Sequence, residues 1–395
     1  MKKYARLLSL PFVLLLFSCN KDSDNPEYEE IDSYVHIKAT FGNSIDMDAL
    51  ANYANQEVPD YITKDNAAGN SITDRGATLG RVLFYDKNLS SDNTISCSSC
   101  HLQEHAFGDP AITSTGVNSQ TGRHAMRLIN ARFGAENSFF WDERAASLEE
   151  QSTMPIRDHG EMGFSGQNGD LSFDDLIIKL SVIGYYKELF TAVYGSKEIT
   201  ENKIQLALSQ FIRSIQSFDS KYDAGRAATG ADGPPFANFT QQENQGKNLF
   251  LAPPVFNRNG VRMGGGVGCA GCHQLPEFDI DPTSGNNGLT GIIGSDGIDT
   301  DNTRAPSLRD VVKTDGTLNG PLMHTGEFAA LEDAILHYNS ITVVTNLDPR
   351  LRPRGIGQQL NMTQAEIDNL AAFLKTLAGN DVYTNAKWSD PFPGE

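Results

Sequence analysis

The chain has 395 residues, of which 39% are hydrophobic, so it is long enough to bury a large core and to form two or three domains. Its formal net charge of −18 excludes nucleic acid as the expected partner, because phosphate binding needs clustered Lys and Arg that this composition does not supply. A basic soluble partner suits an acidic surface better, because complementary charge raises the association rate.

The N-terminus is typical of an export signal. Three basic residues precede an apolar run over residues 7–17, which is too short to span a bilayer as a permanent helix, since that needs ~20 residues. Cys19 stands where a bacterial lipoprotein signal places the thiol that receives the lipid; the alternative is an ordinary signal peptide with an incidental cysteine. We predict a signal peptide over residues 1–18 and a location in the periplasm or cell envelope, with a membrane link only through a lipid anchor on Cys19.

Residues 19–56 are predicted to form a polar tether and an N-terminal extension. The stretch from Asn20 to Asp32 is rich in Asp and Glu and almost free of apolar residues. Such a composition cannot supply a core and favours a flexible segment. No later segment is long and apolar enough to be transmembrane.

Four of the five cysteines belong to two pentads of the form C-x-x-C-H, which are Cys97-Ser-Ser-Cys100-His101 and Cys269-Ala-Gly-Cys272-His273. Two thiols three positions apart reach the two vinyl groups of one haem, and the imidazole that follows reaches the iron from the same face. Paired C-x-x-C units with histidines can instead hold zinc. Each pentad is complete as a haem site, however, and export suits this attachment. We predict two covalently bound haem c groups.

The two pentads stand 172 positions apart (269 minus 97), and a similar phrase precedes each of them, Leu79–Phe84 and Gly246–Phe250. This repetition indicates a duplicated cytochrome c fold in which each phrase belongs to an opening helix. Apolar residues at helical spacing also predict helices within residues 173–194, 199–218 and 365–377. Strand patterns are scarce.

We therefore predict a mainly α protein with two cytochrome c-like haem domains in tandem. The stretch from Asp219 to Phe236 is rich in Gly, Asp and Pro, which is typical of a linker. The predicted organisation is an N-terminal domain with the first haem over 57–226, a linker over 227–236, a C-terminal domain with the second haem over 237–380 and a tail over 381–395.

Longer phrases carry a specific resemblance. They are G-R-H-A-M-R-L-I-N from Gly122, F-F-W-D-E-R-A-A-S-L-E-E-Q from Phe139, E-M-G from Glu161, R-A-P-S-L-R from Arg304 and M-H-T-G from Met323. Together with the pentads they closely resemble the bacterial dihaem cytochrome c peroxidases and their relative MauG, over about residues 57–380.

This resemblance implies a role for five residues. His101 would hold the peroxidatic iron and His273 the iron that takes in electrons, with Trp141 between the two haems. Glu161 matches the distal glutamate of the family and Gln151 the glutamine beside it. A carboxylate within reach of bound peroxide can accept its proton and return it to the leaving oxygen.

The expected reaction is the reduction of hydrogen peroxide with electrons from a small periplasmic cytochrome c or cupredoxin. Two alternatives remain: a MauG-like oxidase of a protein or another large substrate, and a dihaem electron carrier without catalysis. Other acidic residues near the site, Glu149 and Glu150, are interpreted as solvated acids, and His159 as an exposed loop histidine. Members of the family are often dimers, so a homodimer is also expected.

The chain departs from the peroxidase pattern at its first haem. Many members hold that haem shut with a second histidine on a loop, but the corresponding loop, Asp109 to Arg123, contains none. We therefore predict a first haem that is open to peroxide in the resting protein. His105 and His124 flank the loop and are the alternative ligands.

The second departure concerns the electron-transfer haem, opposite which peroxidases usually place a methionine. Here the position is Tyr338, as in MauG, and it shares a predicted helix face with Leu331 and Ala334, whereas His337 points about 100° away. A tyrosine ligand lowers the reduction potential of a haem relative to a thioether. Other ligands left open by the sequence are Met323, Met263 and His324.

The family also binds calcium between its domains, through main-chain oxygens that map onto Asn319 and Pro321 and through an asparagine side chain. His124 replaces that asparagine, and calcium prefers oxygen ligands. Calcium therefore stays an open third cofactor.

Overall fold

Ten α-helices and four short strands make up the regular structure of residues 34–135 and 138–394, which this computed structural model describes. The helices are α1 (Val35–Phe41), α2 (Asp74–Tyr85), α3 (Leu148–Arg157), α4 (Phe173–Ser181), α5 (Gly184–Tyr194), α6 (Glu201–Ser214), α7 (Lys221–Thr229), α8 (Gln241–Leu251), α9 (Leu331–His337) and α10 (Gln364–Lys375). Two antiparallel pairs are formed by β1 (Pro254–Phe256) with β2 (Arg262–Gly265) and by β3 (His273–Gln274) with β4 (Asp279–Ile280). The prediction of a mainly α fold is confirmed.

The predicted signal peptide and Cys19 lie outside the described residues. In the part of the chain that is described, every helix is too short or too polar to cross a membrane.

The same helix-pair geometry occurs twice. Helix α2 packs on α6 so closely that a Cβ on Gly80 would lie 2.0 Å from the carbonyl oxygen of Ala207. In the second half α8 packs on α10, and a Cβ on Gly246 would lie 1.8 Å from the carbonyl oxygen of Asn369. Because no side chain fits at either crossing, glycine is required in both phrases that the sequence repeats. This equivalence confirms the tandem cytochrome c-like architecture.

Two hydrophobic cores follow from the two helix pairs. The first contains α2, α3, α5 and α6, and the second contains α8, α9 and α10. Chain ends from both sides contribute to the first core, through Ile37 and Phe41 of α1 and through Trp388. The Trp388 ring is anchored by an indole N–H donated to Ser214 Oγ at 3.3 Å. The exact domain boundaries stay predictions, but the segment predicted as a tail is therefore part of a core.

The stretch expected to be a linker is also structured differently. Helix α7 forms inside it because Ser220 and Asp223 make a reciprocal capping box at its first turn. Asp223 also receives a hydrogen bond of 2.8 Å from the fully buried Arg309, so the helix is tied to the second half of the chain. Tyr222 adds its ring to the second core. Tertiary contacts thus outweigh a composition that favours loops.

Candidate active site

The first pentad forms a 3₁₀ turn, Cys97–Ser99, which is held by a capping box between Ser96 and Ser99. His101 follows it, and its Nδ1 lies 3.0 Å from the carbonyl oxygen of Phe107. A carbonyl only accepts, so Nδ1 carries the proton and Nε2 keeps a free lone pair. That arrangement fits an imidazole that ligates an iron through Nε2 while its other nitrogen is oriented by the backbone.

Burial affects the ionisation of every group in this pentad. It raises the pKa of the Cys97 thiol to about 12 and that of Cys100 to about 11, and it lowers the pKa of His101. Uncharged sulfur and a neutral imidazole are therefore favoured. Both suit haem c, because thioether bonds carry no charge and an iron ligand must be deprotonated at the coordinating nitrogen.

Glu161 lies in the turn that follows α3. Its backbone N–H donates to Asp158 Oδ1 at 3.0 Å, and its carbonyl accepts from the Val117 N–H at 2.8 Å. The two loops approach so closely that a Cβ on Gly116 would lie 2.2 Å from the carbonyl oxygen of Gly160. The loop that lacks a histidine thus fixes the backbone position of Glu161.

The Glu161 side chain is half-buried and lies within electrostatic range of the first pentad. Burial, together with the charge of Asp158, raises its pKa to about 7, and the charge of Arg144 acts in the opposite direction. The Glu161 charge in turn contributes to the raised pKa of both Cys97 and Cys100. The structure therefore brings together a carboxyl that titrates near neutrality and the predicted site of the first haem.

Gln151 lies on α3 and is half-buried. The residues described show no hydrogen bond between its side chain and Glu161. Its neighbour Glu149 is not a solvated acid as expected, because it is paired with the buried Arg213, whose Nη2 lies 3.1 Å from Oε2. Burial opposes ionisation there, but Arg213 and Asn70 outweigh it and lower the pKa of Glu149 to about 2. Glu149 is therefore a structural carboxylate.

The histidines that flank the loop have different surroundings. His124 is buried, and its Nδ1 lies 3.0 Å from the carbonyl oxygen of Ala111, within the loop itself. His124 therefore stabilises the loop through a hydrogen bond from this nitrogen. His105 lies at the end of a 3₁₀ turn, with Nε2 3.8 Å from the carboxylate of Glu104. An open first haem stays a prediction.

The second pentad lines a cavity of about 730 Å³, together with Tyr338 and Trp141. Burial, with a smaller effect of Arg350, lowers the pKa of His273 to about 4, so its imidazole is neutral. Its Nδ1 is buried and without a hydrogen-bond partner among the described residues. An apolar cavity with two thiols and a neutral imidazole on its wall fits a haem.

Tyr338 directly follows α9, and its hydroxyl faces this cavity. Burial and the charge of Cys272 raise its pKa, whereas a hydrogen bond with Asn287 lowers it. His337 has its Nε2 3.0 Å from the carbonyl oxygen of Asn287, which agrees with a supporting rather than a ligating role. Among the alternatives, Met323 lines the cavity, whereas Met263 and His324 lie outside its wall.

Trp141 lies between the two cores. Its ring lines the second cavity, and its indole N–H donates to the carbonyl oxygen of His124 at 2.7 Å. Its own carbonyl accepts from the Arg304 N–H at 2.8 Å. The preceding Phe139 pairs with Ala145 in the first core, by a 2.8 Å backbone hydrogen bond. One short hairpin therefore connects the first core with the wall of the second site.

Calcium stays an open prediction, because the expected ligands are backbone and amide oxygens, and Asn319 Oδ1 is buried without a hydrogen-bond partner among the described residues. Asn319 donates its side-chain N–H groups to the Asp310 carbonyl oxygen and to Tyr383 Oη, both at 2.8 Å. No group of three or more His, Cys, Asp or Glu side chains in the described ranges could hold a metal ion.

Arg127 is a functional candidate that the sequence did not single out. Its guanidinium lines the second cavity, and Nη2 donates to the Ser307 carbonyl oxygen at 3.1 Å. Its Nε is buried without a partner, and burial lowers its pKa to about 10. A partly buried cation on the wall of a haem cavity fits an acidic group such as a propionate. In the sequence, the only indication of this role was that Arg127 ends the phrase G-R-H-A-M-R.

Residues 74–230 match the sequence model of the family described as di-haem cytochrome c peroxidase. Over this range, the chain is similar to the di-haem cytochrome c peroxidase and MauG family. It is 28% identical over 323 residues to the methylamine utilization protein MauG of Methylorubrum extorquens, covering 78% of this chain and 79% of that protein. It is 29% identical over 318 residues to cytochrome c551 peroxidase of Nitrosomonas europaea, covering 77% and 80%.

Solved structures show the same fold. A MauG-like protein associated with microbial copper homeostasis superposes with a TM-score of 0.65 at 29% identity, covering 85% of this chain and 99% of that one. The dihaem peroxidase BthA from Burkholderia thailandensis matches with a TM-score of 0.57 at 21% identity, covering 87% and 98%. The proteins to which this chain is similar thus carry both names, peroxidase and MauG.

Proposed function

We propose that the protein reduces hydrogen peroxide to water at the His101 site, with single electrons that enter at the His273 site from a small cytochrome c or cupredoxin. The observation that carries this proposal is the half-buried carboxyl of Glu161, a residue whose backbone is held by two hydrogen bonds and whose charge acts on both cysteines of the first pentad. A plain electron carrier has no use for such a group.

The reaction consumes one peroxide, two electrons and two protons and forms two waters. The haem, when bound, supplies the iron at which peroxide is reduced. Glu161 accepts a proton from one peroxide oxygen and returns it to the other, a task that suits a carboxyl whose pKa lies near 7. Trp141 lies where an electron passing from the second site to the first would travel.

The test is Glu161→Gln, which keeps the shape and removes the titrating group. General acid–base catalysis contributes about 10²–10⁴-fold, so kcat for peroxide should fall by at least about 100-fold. The matched control is Glu198→Gln, at a largely exposed carboxylate on the first half of the chain. Undiminished turnover, with both haems attached in each variant, would remove the proposed role of Glu161.

A MauG-like oxidation of a protein or another large substrate is the second candidate, and Tyr338 favours it. Its hydroxyl lies where the peroxidase pattern has a thioether, within electrostatic range of both Cys269 and Cys272. Peroxide added without any donor separates the two functions. A long-lived oxidised spectrum supports the MauG-like function, and rapid return to the resting spectrum or turnover with donor supports the peroxidase.

We further propose two covalently attached haem c groups and a lipid anchor on Cys19 at the periplasmic or cell-envelope side of a membrane. A pyridine haemochrome assay should give two haems per chain that resist acid–acetone extraction. Replacing Cys19 with Ala should release the protein from the membrane fraction.

A further inference from the structure

Two segments near the second haem site lack acidic residues altogether. They are residues 244–276, which contain the second pentad, and residues 349–365. Each holds three Lys or Arg residues and no Asp or Glu, in a chain whose net charge is −18. The Asp and Glu residues that give the protein its low pI therefore lie outside these two segments.

The fold places the two segments side by side. The Arg262 backbone N–H donates to the Gln359 carbonyl oxygen at 2.8 Å. The Gln359 backbone N–H donates to the Gly260 carbonyl oxygen at 2.9 Å. Arg350 reaches across from the second segment, and its Nη1 donates to the carbonyl oxygen of Gly271 at 2.5 Å. The two segments are therefore adjacent in the fold.

Three of the six cations on these segments have internal roles. Lys247 is buried, Arg262 is paired with Glu366, and Arg350 is paired with Asp348. The other three have no carboxylate partner among the described residues; they are Arg258, Arg352 and Arg354. Arg258 and Arg354 are exposed, and Arg352 is half-buried.

Apolar side chains are exposed among these arginines. Val255 on β1 is 59% exposed, Met263 on β2 is 70% exposed and Ile356 is 45% exposed. The β1–β2 hairpin contacts the second segment here, since a Cβ on Gly260 would lie 3.4 Å from Ile356 Cγ2. We call this surface the arginine face; it consists of Val255, Arg258, Met263, Arg352, Arg354 and Ile356.

The arginine face is the outer side of the wall of the second haem cavity. Pro254 and Phe256 line that cavity, and the exposed Val255 lies between them, as strand alternation requires. In the second segment Leu351 and Pro353 line the cavity, next to Arg352 and Arg354. A protein bound to this face is therefore separated from the cavity by about one residue, which is a short path for an electron.

We propose that the arginine face binds a small redox protein with an acidic surface, an acidic cytochrome c or cupredoxin, which delivers electrons to the haem held by His273. Exposed apolar groups, on the same two segments as three arginines without a carboxylate partner among the described residues, match the mixed apolar and charged character of a transient interface, and the charge selects an acidic partner. This reverses the expectation of a basic partner drawn from the net charge. Each encounter oxidises the donor metal by one electron and reduces the haem by one, so two encounters serve one peroxide. The inference rests on the proposed function.

The test measures binding of reduced probe proteins to immobilised holoenzyme by surface plasmon resonance. The probes are acidic plastocyanin and basic mitochondrial cytochrome c, at low and at physiological ionic strength. The unmodified enzyme should bind the acidic probe at least about 10-fold more tightly than the basic one at low salt, with a smaller ratio at high salt. Equal binding, or a preference for the basic probe, would overturn the proposal.

A charge-reversal pair locates the site. Arg258→Glu with Arg354→Glu should weaken binding of the acidic probe by about 10-fold or more at low salt, whereas Arg75→Glu, an exposed arginine on α2, should leave it unchanged. An unchanged affinity in the double variant would also overturn the proposal. Peroxide turnover with a small chemical reductant is measured in parallel and should be equal in all three proteins. If the unmodified enzyme showed no peroxide turnover, the proposed peroxidase activity would be refuted. The binding measurements would still test the arginine face independently.

Discussion

At the scale of single residues, the environment of Glu161 separates it from the other acids nearby. Glu149 and Glu161 lie only twelve positions apart (161 minus 149), yet their pKa values shift in opposite directions. Arg213 stabilises the charge of Glu149, whereas Glu161 is half-buried beside the like charge of Asp158. A carboxyl that is kept partly protonated near pH 7 can exchange a proton in either direction.

The pH dependence of peroxide reduction follows from this shift. A proton acceptor must be deprotonated in the free enzyme, and Glu161, with a pKa of about 7, loses its charge as the pH falls through that value. We expect kcat/KM for peroxide to decline below about pH 7, roughly tenfold per pH unit. Glu161→Gln should abolish this inflection in a stopped-flow pH profile. An inflection that persists in the variant would assign the titration to another group.

Tyr338 sets a second expectation at this scale. Replacing it with Met exchanges a phenol for a thioether at the wall of the second cavity, so the reduction potential of that haem should rise. A spectroelectrochemical titration measures the change. The control is His337→Ala, at a side chain directed to the Asn287 carbonyl oxygen, which should leave the potential nearly unchanged. Equal potentials in the Tyr338→Met variant and the parent would contradict Tyr338 as an iron ligand.

At the scale of elements, each half depends on a helix crossing without a side chain. Gly80→Ala and Gly246→Ala would place a Cβ 2.0 Å and 1.8 Å from backbone oxygens of α6 and α10. Overpacking typically costs about 1–3 kcal/mol, which exceeds the gain of up to ~1 kcal/mol in helix propensity. We expect a lower thermal unfolding midpoint by circular dichroism for either variant.

The control for these two variants is Gly233→Ala. Its added Cβ would meet no atom within 4 Å, and Gly233 does not have a positive φ. Its unfolding midpoint should therefore be unchanged. An unaltered midpoint for Gly80→Ala as well would show that the helix crossing can relax.

At the scale of the whole molecule, segments from both ends of the described range stabilise the first core. Trp388 is 1% exposed, and its carbonyl accepts from the Tyr85 hydroxyl at 2.7 Å. Removing a buried tryptophan typically costs about 3–5 kcal/mol, so Trp388→Ala should lower the urea midpoint strongly. The largely exposed Val182→Ala serves as the control. Loss of the first haem's absorbance at the same urea concentration would show that this core and this site unfold together.

The sequence by itself determined the features that are local in the chain. The C-x-x-C-H pentads predict haem attachment from five consecutive residues, because the spacing of the two thiols decides whether both can bond to one haem. The repeated phrases and helical periodicity were enough for a mainly α tandem fold, which the structure and the family comparison confirm.

The effect of distant residues on one another's ionisation and packing could be seen only in the folded structure. Glu149 is a structural carboxylate because Arg213, far along the chain, lies beside it, and the tail belongs to a core because Trp388 reaches Ser214. Net charge favours a basic partner, whereas we propose an acidic one, because the fold brings together two distant segments that contain arginines and no acidic residues. Ionisation and surface charge depend on distances in space, which composition and local pattern do not contain.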